Sequence, residues 1–185
     1  MKTSASTLEH AMLGMLSGRA MSGYDVRQVF LTHLRYYSDS PGTIYPALRR
    51  LEARGWIEAA PSAPGGESHR SRRPFILTAA GREELISWLE QPIGEGDIAL
   101  RLSELLLRFT YMGANIAREK TIAFLRSLEA GLTARAVQQR AKYDEVRKVA
   151  LPWHTGVLSM LLGVETTEAQ ARWAAEAAAS LEAAP

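Results

Sequence analysis

Three side chains in the stretch 40–59 carry hydrogen-bonding groups that proteins use on nucleic acids: Thr43, Tyr45 and Arg49. A threonine can contact a thymine methyl group or a phosphate, and a tyrosine hydroxyl can donate to a phosphate. An arginine can donate to both acceptors on the exposed edge of guanine. All three lie outside the apolar positions of the stretch, so these residue types indicate a surface that contacts DNA.

The apolar residues of the same stretch predict an amphipathic helix. Ile44, Leu48 and Leu51 are spaced i, i+4 and i+7, which places them on one packed face. Ser40 is a good N-cap, and its position at the open backbone amides of the helix start makes it a further candidate for DNA contact. Gly55 is expected to end the helix in a left-handed conformation. The other polar side chains lie largely off the packed face: Thr43, Tyr45, Arg49, Arg50 and Arg54.

A hairpin with a long basic tip is expected after this helix. The runs 56–60 and 73–77 have strand composition, and the segment between them is too rich in Pro, Gly and Ser for regular structure. Pro74 has no backbone N–H and is expected on an edge strand. The returning side of the tip carries candidates for contact with phosphate or the minor groove: Arg70, Arg72 and Arg73. The alternative is an exposed loop that is basic only for solubility.

Two short helices are expected before this region. The first, over residues 7–16, is capped by Thr7, and Ser22 caps the second. Tyr24 and Arg27 lie off the apolar stripe of the second helix. In a helix-turn-helix this helix crosses the DNA backbone, so both are candidates for phosphate contact. The alternative for Tyr24 is an aromatic position at the edge of the core.

The second half of the chain is predicted to be helical. Thr78 caps a helix that leads to the Gly- and Pro-rich segment 92–97, the best candidate for a domain boundary. Further helices are expected over 98–112, over more than thirty residues from Asn115, and after Pro152. The apolar positions of the last two helices are spread too widely for one small domain to bury. We therefore expect a homodimer formed through these helices, most simply a twofold one.

The composition excludes several classes of protein. The 185 residues include no cysteine, which excludes disulfides, thiol catalysis and zinc fingers. No cluster of catalytic or metal-binding residues is evident, so we expect no metal, no cofactor and no enzymatic activity. The N-terminus lacks the apolar core of a signal peptide, and no apolar run reaches the length of a membrane span. We expect a cytoplasmic protein that does not contact membranes.

The charges are distributed unevenly along the chain. The net charge is only +2, but residues 19–82 contain ten arginines and five acidic residues, whereas residues 91–185 contain eleven basic and eleven acidic residues. The basic excess coincides with the predicted helix and hairpin. Neutralisation of DNA phosphates would require positive charge at this place.

Several motifs resemble the PadR family of bacterial transcriptional regulators and occur in the expected order. SPGTIYPALRRLEARGWI resembles the recognition helix and first wing strand of that family. The family's flanking elements are resembled by three further stretches of this chain: LEHAMLGML, MSGYDV and RRPFILTAAGR. Together these motifs cover roughly residues 8–90. The C-terminal half resembles the family's helical dimerisation region more loosely, through its length and the run 163–173. In the family, the residues that match Thr43 and Tyr45 are associated with DNA contact.

The resemblance implies a mainly α fold with a small β-wing. A winged helix-turn-helix DNA-binding domain would span residues 1–91, and an α-helical dimerisation and effector domain would span residues 92–185. Many relatives respond to small aromatic or apolar molecules, which here implies a pocket lined by Trp153 and Trp173. The plainer alternative is that both tryptophans are core or interface residues.

These expectations combine into one functional hypothesis. The protein would be a dimeric, ligand-responsive repressor that binds a pseudo-palindromic operator in double-stranded DNA through a recognition helix and a basic wing. The alternative is a winged-helix module for protein–protein interaction without specific DNA binding. A DNA affinity that falls steeply with salt would separate the two hypotheses.

Overall fold

A computed structural model describes residues 5–33, 41–61, 73–94, 96–151 and 154–184. Over these residues the fold is mainly α with one small antiparallel sheet, as predicted. The elements in chain order are α1 (Thr7–Gly18), β1 (Met21–Ser22), α2 (Gly23–His33), a 3-10 turn (Pro41–Thr43), α3 (Ile44–Ala53), β2 (Ile57–Ala59), β3 (Pro74–Leu77), α4 (Ala79–Leu89), α5 (Asp97–Leu100), α6 (Leu102–Met112), α7 (Arg118–Arg147) and α8 (Thr155–Ala183).

The chain divides into two compact units. The first comprises Met1–Gln91 and Leu106–Ile116, and the second comprises Pro92–Leu105 and Ala117–Pro185. Helix α6 therefore begins in the second unit and ends in the first. The predicted domain boundary at residue 92 does not include this return of the chain to the first unit.

Helix α1 begins at Thr7 as predicted, but its N-cap is Ser6. The hydroxyl of Ser6 accepts a hydrogen bond from the backbone N–H of Glu9 at 3.2 Å, and the Glu9 carboxylate accepts one from the N–H of Ser6 at 2.9 Å. This reciprocal pair is a capping box. The assignment of Thr7 as the cap was wrong because the Ser-x-x-Glu spacing favours Ser6.

The sheet has the strand order β1-β3-β2, with both pairs antiparallel. The predicted strands β2 and β3 pair through Ile57 and Leu77, whereas β1 was not predicted because it has only two residues. Pro74 was expected on an edge strand, but β3 is the central strand. The sheet tolerates this proline because it is the first residue of β3, and its carbonyl still accepts from the N–H of Ala60 at 2.9 Å.

Three predicted helix ends in the first unit are confirmed. Ser22 Oγ accepts from the N–H of Asp25 at 3.2 Å at the start of α2. Thr78 Oγ1 accepts from the N–H of Gly81 at 3.1 Å at the start of α4. Gly55, with φ +70°, follows the end of α3. The core that these elements enclose includes Met12, Leu13, Leu16, Val26, Phe30, Ile44, Leu48, Leu51, Ile57, Leu85, Trp88 and Leu89.

The single helix expected over 98–112 is interrupted. Arg101, with φ −134° and ψ 26°, separates α5 from α6. Asp97 accepts hydrogen bonds from the N–H of Gly94 at 2.7 Å and from Nη2 of Arg101 at 2.7 Å. The prediction was wrong here because these local hydrogen bonds stabilise a separate short turn of helix.

Helices α7 and α8 pack on each other as an antiparallel pair. Arg126 binds Glu182 near one end, and Arg140 binds Glu168 farther along, so residue numbers rise on one helix as they fall on the other. Most of the large buried side chains come from α7 and most of the small ones from α8, which allows a close approach. Their buried residues are Thr121, Phe124, Leu125, Leu128, Leu132, Ala136, Val164, Thr167, Ala171, Ala174 and Ala178.

Candidate nucleic-acid interface

Helix α3 has two polar flanks on either side of its packed face. Tyr45 and Arg49 lie one turn apart on one exposed flank, and the side chain of Tyr45 is 40% exposed. Arg50 lies about 140° around the helix axis from Tyr45, at 100° per residue. The same angle separates Arg54 from Arg49. The helix therefore divides its arginines between two directions.

Arg50 and Arg54 bind a buried carboxylate on α1. Nε of Arg50 lies 2.7 Å from Oε1 of Glu9, and Nη1 of Arg54 lies 3.4 Å from Oε2. Burial alone would raise the pKa of Glu9. Hydrogen bonds from the Ser6 backbone and Arg50, with the positive charges of Arg54 and Arg50, outweigh burial and hold the pKa of Glu9 below its ordinary value. This flank of α3 is thus fixed to α1.

The ring of Tyr45 lies over Gly23 at the start of α2. A Cβ atom on Gly23 would come within 2.8 Å of Cε1 of Tyr45 and 3.3 Å of Cδ1 of Leu48. The glycine therefore allows the tyrosine to pack closely while much of its side chain stays exposed. The start of α2 is itself fixed, because the carboxylate of Asp25 accepts from the N–H and hydroxyl of Ser22 at 2.9 and 2.7 Å.

Tyr24 adjoins this contact and points outward. Its side chain is 52% exposed, which disfavours the alternative of a core-edge aromatic. Nε2 of Gln28 donates to the Tyr24 hydroxyl oxygen at 2.6 Å, which leaves the hydroxyl hydrogen available for another acceptor. Gln28 was not among the site residues predicted from the sequence. Its i, i+4 spacing from Tyr24 on a helix is the feature that would have indicated it.

The remaining candidates are less closely grouped. Thr43 is exposed immediately before α3, and Arg27 is half-buried on α2. Arg73 is exposed at the start of the returning strand, with Nη1 3.9 Å from Oε1 of Glu52. The other predicted contacts lie outside the described residues: Ser40, Arg70 and Arg72.

The predicted effector residues are only partly described. Trp173 lies on α8 and is 38% exposed, whereas Trp153 lies outside the described residues. An open groove of about 570 Å³ runs between α7 and α8 and does not include Trp173. Its apolar lining includes Ala136, Val137 and Ala171. The structure therefore does not bring Trp173 into this groove.

The described part of the chain shows neither a metal-binding cluster nor a membrane-spanning helix. No group of three or more His, Asp or Glu side chains there is arranged to hold a metal ion. No described helix combines the length and apolar character needed to cross a bilayer.

Helices α2 and α3 with the adjoining three-stranded sheet define a winged helix-turn-helix protein. Residues 12–87, which contain these elements, match the model of the Transcriptional regulator PadR-like family. This match covers the winged-helix part of the chain, and over that part the chain is similar to the family.

Two curated relatives share the N-terminal part of the chain. The Negative transcriptional regulator PadR of Bacillus subtilis is 34% identical over 91 residues, which are 48% of this chain and 49% of that protein. The Probable transcriptional regulator Rv1176c of Mycobacterium tuberculosis is 29% identical over 87 residues, which are 46% and 45% of the two chains. The matches thus span about half the length of these relatives.

Two solved structures align with most of the chain at TM-scores below 0.5. Bacillus subtilis PadR in complex with operator DNA covers 95% of this chain and 99% of its own, with 21% identity and a TM-score of 0.42. The same protein in complex with p-coumaric acid covers 100% of both chains, with 22% identity and a TM-score of 0.43.

Proposed function

We propose that the protein is a homodimeric, ligand-responsive repressor that binds a pseudo-palindromic operator in double-stranded DNA. The observation that carries this proposal is the exposed flank of α3, where Tyr45 and Arg49 lie one turn apart on a helix that is fixed to α1 by its other flank. A helix that exposes one polar flank, and whose other flank is bound to the rest of the domain, can enter the major groove as a rigid unit. The name of the Bacillus subtilis relative, a negative regulator, supports repression.

Each contact residue has a chemical role in this proposal. Arg49 would bind the N7 and O6 acceptors of guanine in the major groove. Tyr45 and Tyr24 would donate to phosphates on the DNA backbone, and the hydrogen bond from Gln28 leaves the Tyr24 hydroxyl hydrogen available for this purpose. Arg73 would add a phosphate contact from the wing. The base contact supplies sequence preference, and the phosphate contacts fix the position of the helix.

The outward face of α8 supports the proposed homodimer. Leu158 and Leu162 are 56% and 66% exposed, and Trp173 is 38% exposed. They lie on the side of α8 roughly opposite the alanines that pack on α7, at 100° per residue. Pairing of this face with its twofold copy would bury apolar surface. Binding to successive major grooves would require two copies of α3 about 34 Å apart.

Trp173 supports the effector part of the proposal, because an exposed indole offers a flat surface for stacking. The alternative, burial of Trp173 between subunits, would also explain its position. Titration with aromatic acids, p-coumaric acid among them, tests this point by tryptophan fluorescence. A specific, saturable quench that weakens DNA binding supports an effector, and a flat response across the acids supports the interface role.

A salt-dependent DNA titration tests the main proposal. A duplex from the region upstream of the protein's own gene is expected to bind more tightly than a shuffled duplex of equal length and composition. The logarithm of the affinity should fall linearly with the logarithm of the salt concentration. Equal, weak binding to both duplexes would instead favour the winged-helix protein–protein interaction module.

A further inference from the structure

Glu9 joins α1 to α3 through a carboxylate that is almost completely buried. The residue is 2% exposed and makes two sets of hydrogen bonds. It completes the capping box of α1 with Ser6, and it accepts hydrogen bonds from Arg50 and Arg54 on the last turn of α3. Such a group is costly to bury unless it is paired, and here both carboxylate oxygens have cationic partners.

The two arginines hold α3 at a defined rotation. Arg50 and Arg54 are four residues apart, so they contact the same carboxylate from successive turns of one flank. The guanidinium of Arg54 also lies over the ring of Trp56, with Cζ 4.9 Å from the ring centre. Tyr45 and Arg49 lie on the opposite flank, so the rotation that Glu9 imposes also sets their direction.

A small rotation would be enough to disturb DNA contact. An atom about 6 Å from the helix axis moves by about 2 Å when the helix turns by roughly 20°. Hydrogen bonds to phosphates and base edges tolerate only a few tenths of an ångström in distance. The orientation of α3 therefore affects affinity as strongly as the identity of the contacting side chains.

We infer that Glu9 is a positioning residue for DNA recognition, and that Arg50 and Arg54 act through it rather than as ligands of the DNA phosphates. This inference rests on the proposed DNA-binding function. It assigns a role in recognition to a buried residue of α1. It also separates the arginines of α3 into Arg49, which contacts DNA, and the pair that orients the helix.

Two variants separate the charge of Glu9 from its role in the helix cap. Glu9→Gln keeps the size of the side chain and a residue type that completes a capping box, but it removes the charge that binds both arginines. Ser6→Ala removes the capping hydroxyl and leaves the carboxylate with its arginines. In titrations of the upstream duplex, we expect Glu9→Gln to weaken binding about tenfold, the factor that loss of one aligned contact produces. Ser6→Ala should stay within about twofold of the wild-type chain.

Salt dependence distinguishes a positioning role from direct phosphate contact. Arg50→Gln should lower the affinity without changing the slope of log affinity against log salt, because no phosphate contact is lost. Arg73→Ala, the matched control in the wing, should reduce the magnitude of that slope by about one. An affinity of Glu9→Gln equal to that of the wild-type chain, or a slope for Arg50→Gln reduced as for Arg73→Ala, would overturn the inference.

Amide hydrogen exchange, measured in the absence of DNA, tests the positioning role of Glu9 independently of the proposed DNA-binding function. Amides of α3 are expected to exchange faster in Glu9→Gln than in the wild-type chain, whereas in Ser6→Ala faster exchange should be confined to the start of α1. If Glu9→Gln does not fold, Arg54→Gln removes one partner and leaves the carboxylate paired with Arg50, and the same change in exchange is expected. If the wild-type chain binds no DNA, the proposed function fails. Unchanged exchange of α3 refutes the positioning role whether or not DNA is bound.

Discussion

The junction between the wing and α4 should be intolerant of a single added methyl group at Gly81. A Cβ on this residue would lie 2.0 Å from the carbonyl oxygen of Trp56 and 2.8 Å from its carbonyl carbon. These atoms are backbone, so they cannot move away as a flexible side chain would. The same carbonyl accepts a hydrogen bond from the N–H of Thr78 at 3.1 Å.

The expected cost of Gly81→Ala follows from these contacts. Relief of the clash requires a shift of about 1 Å between Trp56 and the first turn of α4, which would weaken the Thr78 cap. Overpacking together with partial loss of a cap gives a destabilisation of about 3 kcal/mol. At roughly 2–4 °C per kcal/mol for a chain of this size, Tm should fall by about 6–12 °C.

Gly18→Ala provides the matched control. Gly18 is the last residue of α1, and a Cβ there would meet nothing within 4 Å. Alanine favours helix over glycine by up to about 1 kcal/mol, so this variant should be neutral or slightly more stable. Thermal unfolding followed by circular dichroism compares the two variants with the wild-type chain. Equal Tm values for Gly81→Ala and Gly18→Ala would refute the steric reasoning.

Four further outcomes are expected. Tyr45→Ala should cut the affinity for the upstream duplex in a gel-shift titration while the dimer stays intact, and unchanged affinity would remove Tyr45 from the site. Leu162→Glu should convert the dimer to a monomer, as measured by light scattering at micromolar concentration. Leu100→Glu, at a residue that is 86% exposed on α5, should remain a dimer. If both variants are dimers, the proposed dimer face on α8 is refuted. Leu132→Ala should destabilise the chain to urea by about 2–5 kcal/mol, because it leaves a cavity between α7 and α8; a loss below about 1 kcal/mol would contradict close packing there. The wild-type chain should be more stable than Glu9→Gln at pH 7, and this advantage should shrink as the pH falls below 4.5, the ordinary pKa of a glutamate. The reason is that the folded-state pKa of Glu9 lies below its ordinary value. An advantage that grows in acid would contradict the direction of this pKa shift.

The local elements of the winged helix could be predicted from the sequence, because their causes are local. The spacing of Ile44, Leu48 and Leu51 determined the packed face of α3. Ser22 and Thr78 determined the starts of α2 and α4 through hydrogen bonds to residues three positions away. Gly55 adopts the left-handed conformation that few other residues accept. Motifs of the same kind indicated the resemblance to the PadR-like family, whose model matches residues 12–87.

Contacts between distant residues were decided only by the tertiary structure. No local pattern indicates that Glu9 binds Arg50 and Arg54 across more than forty residues, since the same arginines on a helix flank fit a DNA-contacting surface equally well. The central position of Pro74 depends on its pairing with Ser22, far away in sequence. Burial of a charge and the order of strands depend on which elements meet, and the sequence of one element cannot specify its neighbours.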